Sequence, residues 1–381
     1  MNSSQLQQRW KSVMSDNYGT PSVTVVRGEG SLVWDADGKQ YLDMVAGIAV
    51  NALGHAHPAV QAAVSKQLGE YGHTSNLAIH PVGLELAERL IDVSGRPGRV
   101  FFCNSGAEAN EAAFKVARLT GRPAIHAARD SFHGRTMGAL SLTGQPPKRH
   151  PFEPLVPGVR YFDYGAAPDL SADSAAVIVE PIQGEAGVIP PPAGYLTQLA
   201  ADAGANETLF IADEVQTGIG RTGTWFAFQH DALAPDMVCL AKGLAGGMPI
   251  GALLTFGPTA ELLQPGQHGS TFGGNPMSCA AALAVMDVIA SDDLMTNATD
   301  IGNRIAATLC AHPGVTEVRG RGLLLGVVLA SPQAKDVQAR CQQAGLLVNA
   351  IGDHVIRLAP PLILTAEQAD LACTVLGEAI T

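Results

Sequence analysis

The chain is poor in aromatic side chains, in charge and in lysine. Aromatics are 5% of the 381 residues, Lys, Arg, Asp and Glu together 15%, and lysine occurs only seven times. With so few rings, the interior must be filled by Ala, Val, Leu and Gly, which suits helices packed closely on a parallel sheet. No dense run of Lys or Arg offsets the formal charge of −11, so a nucleic-acid face or an anionic-lipid surface is not expected. Small anionic substrates remain compatible if a few arginines gather in a cleft. The six cysteines, at 103, 239, 279, 310, 341 and 373, show no CxxC spacing, which argues against a disulfide framework or a zinc site. The start, "MNSSQLQQRWKSVM", has no apolar h-region, and the apolar run near "GLLLGVVLA" is too short to span a bilayer. A cytoplasmic location is the expectation. No strand-like run leads directly into GxGxxG and no GxxxxGK[ST] occurs, so neither a dinucleotide fingerprint nor a P-loop is expected.

What is present is apolar material, 46% of the chain, and a length that predicts more than one structural unit. Residues 1–50 read as a loose arm followed by a small hairpin, because "GSLVWDADGKQYLDMV" sets two β-prone runs about Asp-Ala-Asp-Gly. "HPAVQAAVSKQLGEYGH" and "PVGLELAERLIDVSG" have helical periodicity, the second running from Pro81 to a stop at Gly95. From about residue 99, seven short apolar runs alternate with helical ones: "RVFFCN", "AIHAARD", "VRYFDY", "AAVIVEP", "LFIADE", "MVCLAK" and "GALLTFG". Near-continuous apolarity predicts strands covered on both faces, and the alternation predicts βαβ units in an open, mostly parallel sheet. The division expected is residues 1–50 as arm and hairpin, 51–279 as a large domain, and 280–381 as a smaller α+β domain.

In such sheets ligands bind beyond the carboxyl ends of the strands. Polar residues stand at four predicted strand ends: Asn104 with Ser105, Glu180, Asp213 with Glu214, and Lys242. "FFCNSGAEANEAAFKVAR" predicts a strand, a tight Ser-Gly turn and a helix whose first N–H groups could bind phosphate. The same residues also spell an ordinary capped helix, and alone they leave both open. A carboxylate at Asp213 is costly if buried without a partner. A protonated heteroaromatic nitrogen would be one, although Asp213 could instead cap the next helix. Lys242 follows 29 residues later, about one βαβ repeat, in "VCLAKGLAGGMPIG". A desolvated lysine there can react with a carbonyl cofactor. Phosphate turn, carboxylate and lysine together are what pyridoxal phosphate requires.

Seven segments carry a resemblance: "NSGAEANEAAFKVAR", "FHGRTMGALSLTGQP", "VEPIQGEAGV", "IADEVQTGIGRTG", "LAKGLAGGMPIGA", "HGSTFGGNP" and "VIRLAPPL". In this order, from about residue 15 to the C-terminus, they resemble the class III, fold type I aminotransferases. The resemblance implies an α/β large domain with a mostly parallel seven-stranded sheet, a smaller α+β C-terminal domain, and pyridoxal 5′-phosphate as cofactor. It implies that Ser105, Gly106 and Ala107 hold the phosphate, with Ala107 standing where many members have threonine. Phe132 and Val215 would cover the two ring faces, Asp213 would meet the ring nitrogen, Gln216 the phenolic oxygen, and Lys242 would bond to the coenzyme. Thr271, with Ser270, would reach a phosphate across a subunit interface, implying a homodimer with shared active sites. Arg135 would grip the α-carboxylate of the substrate, Arg357 a carboxylate of 2-oxoglutarate or glutamate, and Glu185 would neutralise Arg357 until glutamate binds. His133 and His55 read as structural. The reaction implied moves the δ-amino group of N2-acetyl-L-ornithine to 2-oxoglutarate. Succinylornithine, ornithine, 4-aminobutyrate or succinyl-diaminopimelate are alternative donors, and a non-catalytic scaffold is the reading of a different class.

Overall fold

The computed structural model describes all 381 residues. Three short strands, β1 (Val25–Glu29), β2 (Leu32–Asp35) and β3 (Gln40–Asp43), form an antiparallel meander near the N-terminus. The predicted hairpin is β2–β3. Asp35 Oδ1 accepts from the amides of Asp37 and Lys39 at 3.0 and 2.9 Å and closes the turn. The arm before it differs from the expectation, because Ser3–Val13 is helical. None of its residues is buried, so it carries no apolar stripe for periodicity to detect. Its one signal is a capping box. Asn2 accepts from the Gln5 amide at 2.9 Å, and Gln5 accepts from the Asn2 amide at 3.0 Å.

The helices Pro58–Glu70 and Pro81–Ser94 both begin on proline, and Gly95 ends the second with φ +72°. Each of the seven apolar runs then becomes a strand: β4 (Gly98–Cys103), β5 (Ala124–Ala128), β6 (Val159–Phe162), β7 (Ser174–Val179), β8 (Leu209–Asp213), β9 (Met237–Leu240) and β10 (Gly251–Phe256). They form one sheet in the order β4-β10-β9-β8-β7-β5-β6. Only β10 runs against its neighbours. All residues of β5, β7, β9 and β10 are buried, which accounts for their nearly continuous apolar sequence. Alternate residues serve opposite faces. Val177, Val179, Phe210 and Ala212 join one hydrophobic cluster, while Ala176, Ile178 and Ile211 join the other, on the side of helix Gly106–Arg118.

Beyond the sheet, helix Pro276–Ser291 spans the expected boundary at 279–280 and packs on Pro58–Glu70 and Pro81–Ser94. Helix Leu294–Cys310 follows, then β11 (Val315–Arg321), β12 (Leu324–Leu329), β13 (Leu346–Leu347), β14 (Asn349–Ile351) and β15 (Val355–Leu358), and last the helix Ala366–Ala379. Four of these strands make an antiparallel sheet, β11-β12-β15-β14, while β13 pairs in parallel with β3. No helix is long and apolar enough to cross a membrane.

Candidate active site

The parallel strands deliver their carboxyl ends to one edge, where a cavity of about 360 Å³ opens. Asn104, Ser105, Glu180, Asp213 and Lys242, from four of the strand ends, all line it. Glu214 does not, because its side chain takes the opposite direction from that of Asp213. There it accepts from the Phe228 amide at 2.8 Å and the Thr217 hydroxyl at 2.5 Å, and burial pushes its pKa up to about 7.

After β4, Ser105 caps the helix Gly106–Arg118, its hydroxyl accepting from the Glu108 amide at 3.2 Å. As the first helical residues, Gly106 and Ala107 have N–H groups without an intrahelical acceptor, and both residues border the cavity. A Cβ on Gly106 would lie 2.7 Å from Val215 Cγ1, so only glycine lets the backbone pass there.

At the end of β8, Asp213 is 3% exposed, borders the cavity and is held by three contacts. Its Oδ1 accepts from the Val215 amide at 3.0 Å. Its Oδ2 meets Asn110 Nδ2 at 2.8 Å and His133 Nδ1 at 2.7 Å. Asn110 also donates to the His133 carbonyl at 2.7 Å, tying the two supports together. His133 is thus a brace for Asp213, and His55 pairs with Asp43 at 2.9 Å at a different place.

Lys242 lies just beyond β9, which is the sheet neighbour of β8 with Asp213 opposite Cys239. Lys242 itself adopts φ +43°, and Gly246 and Gly247 follow with φ +56° and +109°. A left-handed lysine costs about 1–2 kcal/mol, a strain that clusters at functional sites. Burial lowers the pKa of its ammonium, only partly countered by Glu185.

Glu180, at the end of β7, accepts from the Phe132 amide at 2.8 Å and the Gly184 amide at 3.1 Å. Burial pushes its pKa up to about 7. Gly184 leads into Glu185, which pairs with Arg357 of β15 at 2.5 Å. Arg357 is only 2% exposed, and it also donates to Asn349 Oδ1 at 2.7 Å, and to the Gly184 carbonyl and Gln216 Oε1 at 3.3 Å each. Glu185 is 23% exposed. Burial raises its pKa, but Arg357 and Lys242 outweigh this and hold it below the ordinary carboxylate range.

Phe132 carries two cations, Arg135 with Cζ 5.5 Å and Lys148 with Nζ 4.7 Å from the ring centroid. Phe132, Arg135, Glu185, Val215 and Gln216 all line the same cavity. Ser270 and Thr271 do not. They border a neighbouring hollow, where Ser270 accepts from Asn104 Nδ2 at 3.0 Å and Thr271 is exposed. Sequence reasoning left Asn110, Asn349 and Lys148 unremarked and assigned no role to Glu180. Glu180 carried a signal as the polar end of an apolar run and Lys148 as one of seven lysines, whereas Asn110 and Asn349 carried none.

The class-III aminotransferase family model matches residues 13–380. The chain belongs to the class-III aminotransferases. It is 56% identical to the acetylornithine aminotransferase of Streptomyces coelicolor over 96% of this chain and 92% of that one. It is 55% identical to the acetylornithine aminotransferase of Mycobacterium tuberculosis over 96% and 93%. Among solved structures, the ornithine aminotransferase of Toxoplasma gondii, which holds pyridoxal phosphate at partial occupancy, superposes with TM-score 0.94 at 32% identity, covering 100% and 94% of the two chains. The acetylornithine aminotransferase of Elizabethkingia anophelis superposes with TM-score 0.89 at 35% identity, covering 100% and 99%. In this class-III aminotransferase, the cavity combines a helix N-terminus, a braced carboxylate, a buried lysine and a buried arginine paired with a partly exposed carboxylate.

Proposed function

We propose that this aminotransferase uses pyridoxal 5′-phosphate to move the δ-amino group of N2-acetyl-L-ornithine to 2-oxoglutarate. The products are N-acetyl-L-glutamate 5-semialdehyde and L-glutamate, a step of arginine biosynthesis. The observation that carries this reading is the Arg357–Glu185 pair beside Lys242: a fixed, buried guanidinium under a partly exposed carboxylate. With Glu185 in place, the pocket receives an amine whose own carbon bears no carboxylate. With Glu185 displaced, Arg357 can hold a glutamate carboxylate bidentately. The names of the relatives at 54–56% identity support the acetylated donor.

The cavity fits the cofactor. Its helix N-terminus suits a phosphate, and the glycine at 106 leaves the backbone open to it. Ser105, Gly106 and Ala107 would hold the phosphate, and Phe132 and Val215 the ring faces. Asp213 would hold the ring nitrogen, Gln216 the phenolic oxygen and Lys242 the reactive carbon. Bound there, the cofactor supplies a carbonyl that takes up the amino group and a ring that accepts the electron pair released at carbon. Asn110 and His133 keep Asp213 oriented as an acceptor. Lys242, its ammonium destabilised by burial, takes the proton from the amine-bearing carbon and later returns it. Arg135, which has no partner in the chain, would receive the substrate α-carboxylate. The exposure of Thr271 and Phe272 supports a homodimer in which Ser270 and Thr271 complete the phosphate site of the other subunit, and a cytoplasmic location accompanies this reading.

Lys242→Ala should lose turnover about 10³-fold or more while retaining noncovalent coenzyme, measured by steady-state rates and visible absorbance. Near-normal turnover in that variant would end the proposal. Comparing kcat/KM across acetylornithine, succinylornithine, ornithine, 4-aminobutyrate and succinyl-diaminopimelate decides the donor.

A further inference from the structure

We propose that Lys148 is a second cationic ligand for the substrate carboxylate that Arg135 is placed to receive. The inference rests on the aminotransferase reading and adds a specificity residue to it.

Lys148 belongs to the short helical turn Pro146–Arg149. Its neighbour Arg149 lies against Tyr161, 3.9 Å from that ring, whereas Lys148 Nζ stands over Phe132. Phe132 is a firm platform, because Glu180 accepts its amide at 2.8 Å. Lys148 and Arg135 therefore share one ring, that of Phe132, which lines the cavity together with Arg135, and neither cation makes an ion pair or a side-chain hydrogen bond within the chain. The carboxylates that could serve them are already engaged. Glu185 is held by Arg357, and Glu180 by the Phe132 and Gly184 amides.

A half-buried ammonium on a phenyl face has lost water without gaining an acceptor. Burial lowers the pKa of Lys148, and the charges that act on it further are Glu185, Arg135, Glu180 and Arg357, all groups of this one site. Two like charges over one ring repel each other until an anion lies between them. In a chain of net charge −11 with seven lysines, two unpaired cations over one ring mark a place for a carboxylate. A bidentate guanidinium and a point-charge ammonium are complementary donors to its two oxygens.

The test uses holoenzyme and a matched pair of donors, N2-acetyl-L-ornithine and N-acetylputrescine, which is the same amide and amine without the carboxylate. Lys148→Met keeps the apolar stem over Phe132 and removes the charge. KM for N2-acetyl-L-ornithine should rise about tenfold with kcat little changed, the pattern for loss of uniform binding. The kcat/KM for N-acetylputrescine should stay that of the parent enzyme, and Lys148→Arg should recover most of the lost affinity. Equal losses on both donors would overturn the proposal by showing that Lys148 only supports Phe132, and so would an unchanged KM for N2-acetyl-L-ornithine. Calorimetric binding of glutarate, an unreactive dicarboxylate, gives a readout independent of turnover, and Lys148→Gln serves if the methionine variant misfolds. Glutarate should bind about tenfold more weakly to either variant, and unchanged binding would overturn the proposal. If the parent enzyme transaminates neither donor, the substrate reading fails by itself, and the glutarate titration still decides Lys148.

Discussion

Replacing Glu185 by Gln tests the switch at the centre of the site. Glutamine keeps the shape and one acceptor but removes the charge that neutralises Arg357. Breaking a fully buried pair costs about 3–5 kcal/mol. Here Glu185 is 23% exposed through the cavity, and Arg357 keeps Asn349, the Gly184 carbonyl and Gln216 as acceptors. The displaceable part of the interaction is then nearer about 1–2 kcal/mol. In the parent enzyme a glutamate carboxylate must expel Glu185 to reach Arg357, and in the variant that cost is gone. The KM for glutamate should therefore fall about 5- to 30-fold, while that for N2-acetyl-L-ornithine rises by a similar factor as its amine faces an unneutralised guanidinium. Single-turnover half-reactions with each donor, followed by visible absorbance, separate the two effects. A glutamate KM that stays constant or rises, with the acetylornithine half-reaction unaffected, would show Glu185 to be a fixed structural partner and would refute the switch.

Two further perturbations probe the frame. Glu214 lies outside the cavity with a pKa raised from 4.5 to about 7 by burial, so it folds preferentially with its proton. The stability it contributes is complete below pH 4.5 and is lost as pH rises to about 7, by at most about 3 kcal/mol. Glu214→Gln cannot titrate, so its melting temperature should gain on the parent between pH 5 and pH 8. Parallel melting profiles across that range would refute the assignment. Gly106→Ala places a Cβ 2.7 Å from Val215 Cγ1 and should cost about 1–3 kcal/mol in the apo-protein while accelerating cofactor loss. Unchanged melting and unchanged cofactor retention would show that the turn can yield.

The seven strands of the large sheet were readable because burial on both faces favours apolar residues at most positions, a signal that needs no knowledge of partners. The strand-end groups were readable for a related reason. Parallel strands point the same way, so residues that close successive apolar runs must meet at one edge. The reading failed where direction mattered. Asp213 and Glu214 are adjacent in sequence, yet one faces the cavity and the other the Phe228 amide, as successive side chains do along a strand. The helix Ser3–Val13 escaped notice because it buries nothing.

The order of residues settles the alternation of strand and helix, the turn at Ser105-Gly106, and the placing of one rare lysine at the end of an apolar run. These follow from local chemistry and short-range geometry. Which charges are paired is a different matter. Arg357 meets Glu185 across 172 positions, and Asn110 reaches Asp213 across 103, through contacts between elements that no periodicity encodes. The same packing leaves Arg135 and Lys148 over Phe132 with no carboxylate to answer them. A charge in the interior is defined by its neighbours in space, and only the closed fold supplies them.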